Sequence, residues 1–179
     1  KKLLIVMLAV LATACSTTKL TENEGASKDA VKYTQDFGKV EVTFTDEGNW
    51  TEIRATATAS VPISDDAGLE QAMNIATMRA KRNIVEFINT DLKSGKTLDT
   101  ITDSLAKNVS EDDQASKQKA ATIATKVSEK IAVEANGILK GVYITDRKIS
   151  GDGKTVAVTV KVDKRSMRAA NQLRMAMGK

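Results

Sequence analysis

Apolar and polar residues alternate through Val40-Glu41-Val42-Thr43-Phe44-Thr45. A period of two predicts a strand with one face in a core and the other in solvent. Asp46-Glu47-Gly48-Asn49 predicts a turn. A longer alternation follows, with Ile53, Ala55, Ala57, Ala59 and Val61 against Arg54, Thr56, Thr58 and Ser60. The short link makes the pair an antiparallel hairpin, and Pro62 ends its second strand. The alanine row on the inner face leaves room for a helix to lie close.

The period then changes. Ser64-Asp65-Asp66 supplies capping oxygens and negative charge for a helix start. Leu69, Met73, Ala76, Ala80, Ile84 and Phe87 form one apolar stripe on a helix running to about Leu92. Lys93-Ser94-Gly95-Lys96 breaks it. Leu98, Ile101, Leu105 and Val109 predict a short second helix. Ser110-Glu111-Asp112-Asp113 resembles a capping box at the start of a third, with Ala120, Ala124, Val127, Ile131, Ala135 and Ile138 as its stripe. Asn136-Gly137 predicts the end of that helix. Leu139 to Ile149 reads as a strand and Ser150-Gly151-Asp152-Gly153 as a hairpin turn. Val156, Val158, Val160 and Val162 mark the returning strand. Asp163 caps a last helix from Lys164 to about Met177, with Ala169, Ala170, Leu173 and Met177 on one side. The two long helices could pair as a hairpin coiled coil, but the flanking strands favour packing on a sheet. The order predicts an α+β fold, an antiparallel sheet of two β-hairpins with Ala-rich helices packed on one face and a C-terminal helix.

The first residues follow a different logic. Lys1 and Lys2 precede an unbroken apolar run from Leu3 to Ala12, then Thr13, Ala14 and Cys15. A short positive end, an apolar centre and small residues before a cut site are the anatomy of a secretory signal. The run is shorter than the ~20 apolar residues of a spanning helix. Ala12-Thr13-Ala14 fits ordinary signal peptidase, whereas Leu11-Ala12-Thr13-Ala14-Cys15 resembles the lipobox of bacterial lipoproteins. That resemblance implies diacylglycerol on the Cys15 sulfur and an acyl group on its new amine. Ser16, where Asp would retain a lipoprotein at the inner membrane, then implies the outer membrane. Each buried methylene adds ~0.8 kcal/mol and two or more chains give a stable anchor. The expected division is a signal peptide at 1–14, lipidated Cys15 and a polar flexible tether at 15–36, and a single domain at 37–179.

Composition narrows the chemistry. The formal charge of the 179 residues is +4; without Lys1 and Lys2 it is +2, so a nucleic-acid partner is not expected. There is no histidine and one cysteine, which excludes a histidine general base, most zinc sites and an intrachain disulfide. Trp50, Tyr33, Tyr143, Phe37, Phe44 and Phe87 are the only aromatics, too few for stacking platforms. Phosphate-binding glycine loops, the nucleophile elbow and metalloprotease signatures are missing. Ser116-Lys117-Gln118-Lys119 fits S-x-x-K without its companion motifs. Ser128-Glu129-Lys130 and Ser166-Met167-Arg168 offer hydroxyl and cation at the wrong spacing. Asp152-Gly153 lacks the further oxygens of a calcium loop, and Glu111-Asp112-Asp113 reads as an acidic helix start. Arg79-Lys81-Arg82 reads as a solvated basic face, with an anion site as the alternative. No catalytic, cofactor-binding or metal-binding set is expected; Cys15 is the one expected modification site.

The lipobox, the polar tether, the hairpin, the helix with Ala72-Met73-Asn74-Ile75-Ala76-Thr77-Met78-Arg79-Ala80 and the closing hairpin from Leu139-Lys140-Gly141-Val142 to Val162 together resemble the small bacterial outer-membrane lipoproteins of the LPP type (FlgP-like). The resemblance implies a non-enzymatic structural or assembly role in the cell envelope. It further implies self-association on the periplasmic face of the outer membrane, as in flagellar outer-membrane rings. Exposed strand edges from Phe37 or Val156 are the expected pairing surfaces. The alternative is a periplasmic binding or chaperone-like accessory lipoprotein using the groove between helices and sheet. The expected partners are the membrane, through lipid on Cys15, and a second copy or another envelope protein.

Overall fold

The computed structural model describes residues 32–92, 95–108 and 114–178. Cys15, the signal segment, the tether up to residue 31 and the acidic stretch 110–113 lie outside the described residues. The chain runs β1 (Lys32–Asp36), β2 (Val40–Thr45), β3 (Trp50–Ser60), α1 (Asp66–Glu86), α2 (Lys96–Asn108), α3 (Gln114–Gly141), β4 (Tyr143–Ile149), β5 (Thr155–Asp163) and α4 (Lys164–Ala176). A π-helical turn, Phe87–Asp91, extends α1. The five strands form one antiparallel sheet in the order β1-β2-β3-β5-β4. With its helices this is the α+β fold expected from the pattern.

The alternation sets which face is buried. Ile53 lies opposite Val162, Ala55 opposite Val160 and Ala59 opposite Val156, all of them buried. Val40 and Val42 continue that face across β2. α1 lies on β3 and β5, and its buried line is Gly68, Ala72, Ala76, Ala80 and Ile84. Small residues at every fourth position let the helix axis approach the alanines of β3. Asp65 caps α1, accepting from the Gly68 N–H at 2.7 Å. α3 crosses the same side of the sheet and carries α2 and α4. Ile123, Val127, Ile131 and Ile138 turn inward from it. The opposite face of the sheet is polar. Hydroxyl pairs bridge its strands, Thr34 to Thr43 at 3.1 Å and Thr56 to Thr159 at 2.9 Å.

Three expectations are corrected. The stretch 32–36 is a strand, so the ordered body begins before Phe37. Tyr33 is its one large apolar side chain; it stacks on Phe44 at 5.8 Å, and the ladder with β2 supplies the rest. Second, α3 does not stop at Asn136-Gly137 but runs on to Gly141, and the following strand starts at Tyr143. Gly137 and Gly141 are contact glycines: a Cβ on Gly137 would meet the Met167 side chain at 2.6 Å, and one on Gly141 the Met167 backbone at 2.9 Å. Third, the sheet edges are β1 and β4. Val156 sits in β5, between β3 and β4. Phe37 lies in the turn after β1 and packs on Phe87 with ring centroids 5.1 Å apart.

Candidate functional site

β3 is eleven residues long and β2 six, and that mismatch makes a cleft. Their pairing stops at Val40–Ala55, while β3 continues against β5 to Ser60. Val61 donates to the Lys154 carbonyl at 2.8 Å. By antiparallel alternation, Thr56, Thr58 and Ser60 therefore turn their backbone groups away from β5, toward the side β2 has vacated. α1 fills part of that gap. The Arg79 guanidinium donates to the Thr58 carbonyl at 2.9 Å, and the Asn83 amide lies 3.5 Å from the Thr56 carbonyl.

The resulting cleft has a volume of about 460 Å³ and is lined by Lys39, Thr56, Ala57, Thr58, Arg79, Arg82, Asn83 and Glu86. Arg82 pairs with Glu86 at 2.7 Å in an i,i+4 bridge. Arg79 spends its hydrogen bond on a neutral carbonyl, so its charge remains to attract an anion. The lining offers cations and hydroxyls, with one carboxylate already paired. It suits recognition of an anionic group and contains no nucleophile–base pair.

A second polar group lies on the open face. Glu52 bonds to Lys161 and to Arg54, each at 2.7 Å, and Lys161 reaches Asp163 at 3.6 Å. Burial pushes the Glu52 carboxyl up, but the hydrogen bond and charge of Lys161, aided by Arg54, outweigh it, and the group titrates below its ordinary range. At Asp163 burial again pushes upward, and the Ser166 N–H, the Tyr143 hydroxyl and Lys161 bring it below the ordinary value. The Glu52 hydrogen bond raises Lys161 against burial. Burial and the Asp163 charge raise Tyr143. This network joins β3 and β5 to the start of α4. A third cluster locks the β2–β3 turn onto the helices: Lys130 donates to the Asn49 side chain at 2.5 Å. Lys164 stands 4.1 Å from the centre of the buried Trp50 ring and pairs with Glu134.

The residues singled out in the sequence scatter. Arg79 and Arg82, three apart on α1, share the cleft, whereas Lys81 is exposed outside its lining. Ser116 and Lys119 lie near the start of α3, with Lys119 exposed. The Asp152 carboxylate accepts from the Ser150 hydroxyl at 2.5 Å and the Lys154 N–H at 3.0 Å, as a turn aspartate does. Those two bonds hold its pKa low. Ser166 belongs to a capping box with Asp163. Among the described residues no group of three His, Cys, Asp or Glu could hold a metal. No described helix is long and apolar enough to cross a membrane. The open edge of β3 is what sequence reading missed; the unequal lengths of the two alternations, Val40–Thr45 and Ile53–Val61, were its only trace. Comparisons with models of known protein families, with curated proteins and with solved structures find no match to this chain.

Proposed function

We propose that this chain is a non-enzymatic outer-membrane lipoprotein with a structural or assembly role in the cell envelope, anchored on the periplasmic face by lipid on Cys15. The observation that carries the reading is the position of its one cysteine, directly after a basic and apolar leader that ends in small residues. The resemblance to LPP-type lipoproteins points the same way. Anchoring confines copies to two dimensions and raises the effective concentration for weak self-contacts.

The sheet supports association through one edge more than the other. β4 carries a bulge beside Thr145, between Ile144 and Asp146, and Arg147 and Lys148 are exposed along it. Bulges and edge cations discourage strand pairing. β1 has no bulge in its ladder with β2 and no further strand beside it among the described residues. Pairing β1 with β1 about a twofold axis makes a closed dimer, whereas a ring needs β1 to meet β4. The dimer is the assembly this sheet favours. The cationic cleft between α1 and β3 supports the second reading, an accessory lipoprotein that binds an anionic segment.

Substituting Cys15→Ser tests the anchor. Palmitate labelling is expected to vanish and the protein to leave the membrane fraction. A chain that is never labelled, with or without the substitution, rules out the lipoprotein reading. Light scattering across a concentration series tests assembly, and a persistent monomer at high concentration counts against it.

A further inference from the structure

We propose that α4 is an interfacial helix that docks on an anionic lipid surface, a membrane contact separate from any acyl chain on Cys15. The helix is held to the body by its first turn and by Met167. Asp163 and Ser166 form its capping box, Lys164 pairs with Glu134, and Met167 rests against Gly137 and Gly141. Beyond that it has no buried residue, and residues 171–178 are all exposed. Short helices in water depend on packing of an apolar face, and this one finds little within its own chain.

That face exists. Ala169, Ala170, Leu173, Ala176 and Met177 fall within about a third of the helix circumference at 3.6 residues per turn. Leu173 is 63% exposed and Met177 70%. Arg165 borders this arc on one side and Arg174 on the other. After Asp163 the sequence contains Lys164, Arg165, Arg168, Arg174 and Lys179 and no acidic residue. An apolar arc edged by arginines is the pattern of a helix lying in a lipid headgroup layer, because an arginine stem can lie along apolar surface while its charged head reaches the polar layer. A second copy docking face to face would oppose two equally cationic helices, which Coulomb repulsion disfavours.

The test uses the chain from Ser16 to Lys179, which retains every described strand and helix and lacks both leader and Cys15, so its result is independent of acylation. It is expected to pellet with vesicles of phosphatidylglycerol and phosphatidylethanolamine at low salt and to stay in solution with phosphatidylcholine alone. The double substitution Leu173→Glu with Met177→Glu, at sites 63% and 70% exposed, is expected to lower binding about tenfold or more with an unchanged circular dichroism spectrum. In a Leu173→Cys chain, an environment-sensitive dye on that thiol is expected to shift to the blue on anionic vesicles. Failure to pellet, equal binding by the double variant, or an unshifted dye overturns the proposal. So does a drop in the mass of the vesicle-free protein caused by the double variant, which would assign the face to a second copy.

Discussion

Gly137 and Gly141 lie one turn apart on α3 and both face Met167, yet they meet different parts of it. At Gly137 a methyl group would collide with the terminal Cε, the free end of a flexible side chain. At Gly141 it would meet the Met167 backbone N and Cα, which move only if α4 moves. Gly137→Ala should therefore be neutral or stabilising, because alanine gains up to ~1 kcal/mol over glycine inside a helix. Gly141→Ala should cost about 1–3 kcal/mol, the usual range for overpacking against a fixed wall. Urea unfolding of the two variants separates them, and equal effects would mean that α4 is not seated on α3 as described. The mistaken helix end at Asn136-Gly137 has its cause here. A glycine that lets two helices touch looks, in sequence, like one that ends a helix.

Around the junction from β5 into α4 lie Glu52, Tyr143, Lys161 and Asp163, whose titration is displaced from the ordinary values. Glu52 and Asp163 both titrate below their ordinary values. A depressed carboxylate stabilises the fold above its unfolded pKa, and that contribution fades as pH falls through the folded value. Stability should therefore hold from neutrality down to about pH 4, the unfolded carboxylate range, and decline below it. Lys161, raised by Glu52, contributes up to the ordinary lysine range and loses its share as pH rises through its higher folded value. Melting temperature against pH, with and without Glu52→Gln, checks this; an acid limb of unchanged depth in the variant would remove Glu52 from the account. At this scale much of the fold was legible in sequence. The α1 start at Ser64-Asp65-Asp66, the Asp163 cap, the Ser150–Gly153 turn and the Val156–Val162 alternation each rest on local chemistry, and each stands where the pattern put it. β1 was not legible, because its ladder with β2 and the one Tyr33 contact supply what its own composition lacks. The cleft was half legible: Arg79 and Arg82 share a helix face at three-residue spacing, but the Thr56 and Thr58 carbonyls become available only through where β2 stops.

For the molecule as a whole, the question is how a sheet with two ends meets its neighbours. Phe37 donates to the Val40 carbonyl across the β1–β2 turn at 2.8 Å. Alternation then directs the Tyr33 and Gln35 backbone groups inward to β2 and those of Lys32, Thr34 and Asp36 outward to the free edge. Proline at position 34 would remove an outward N–H and leave the ladder bonds to β2 in place, which is where an edge strand tolerates it. The Thr34–Thr43 hydroxyl contact would be lost too, but it is solvent-exposed. Thr34→Pro should therefore change unfolding free energy by no more than about 1 kcal/mol while abolishing any concentration-dependent dimer. Arg147 and Lys148 on the bulged β4 edge supply the contrast. Replacing them with valine would remove the charges that guard that end and should raise the apparent mass beyond a dimer. Light scattering on the two variants reads both ends of the sheet. A dimer that survives Thr34→Pro would move the interface away from β1.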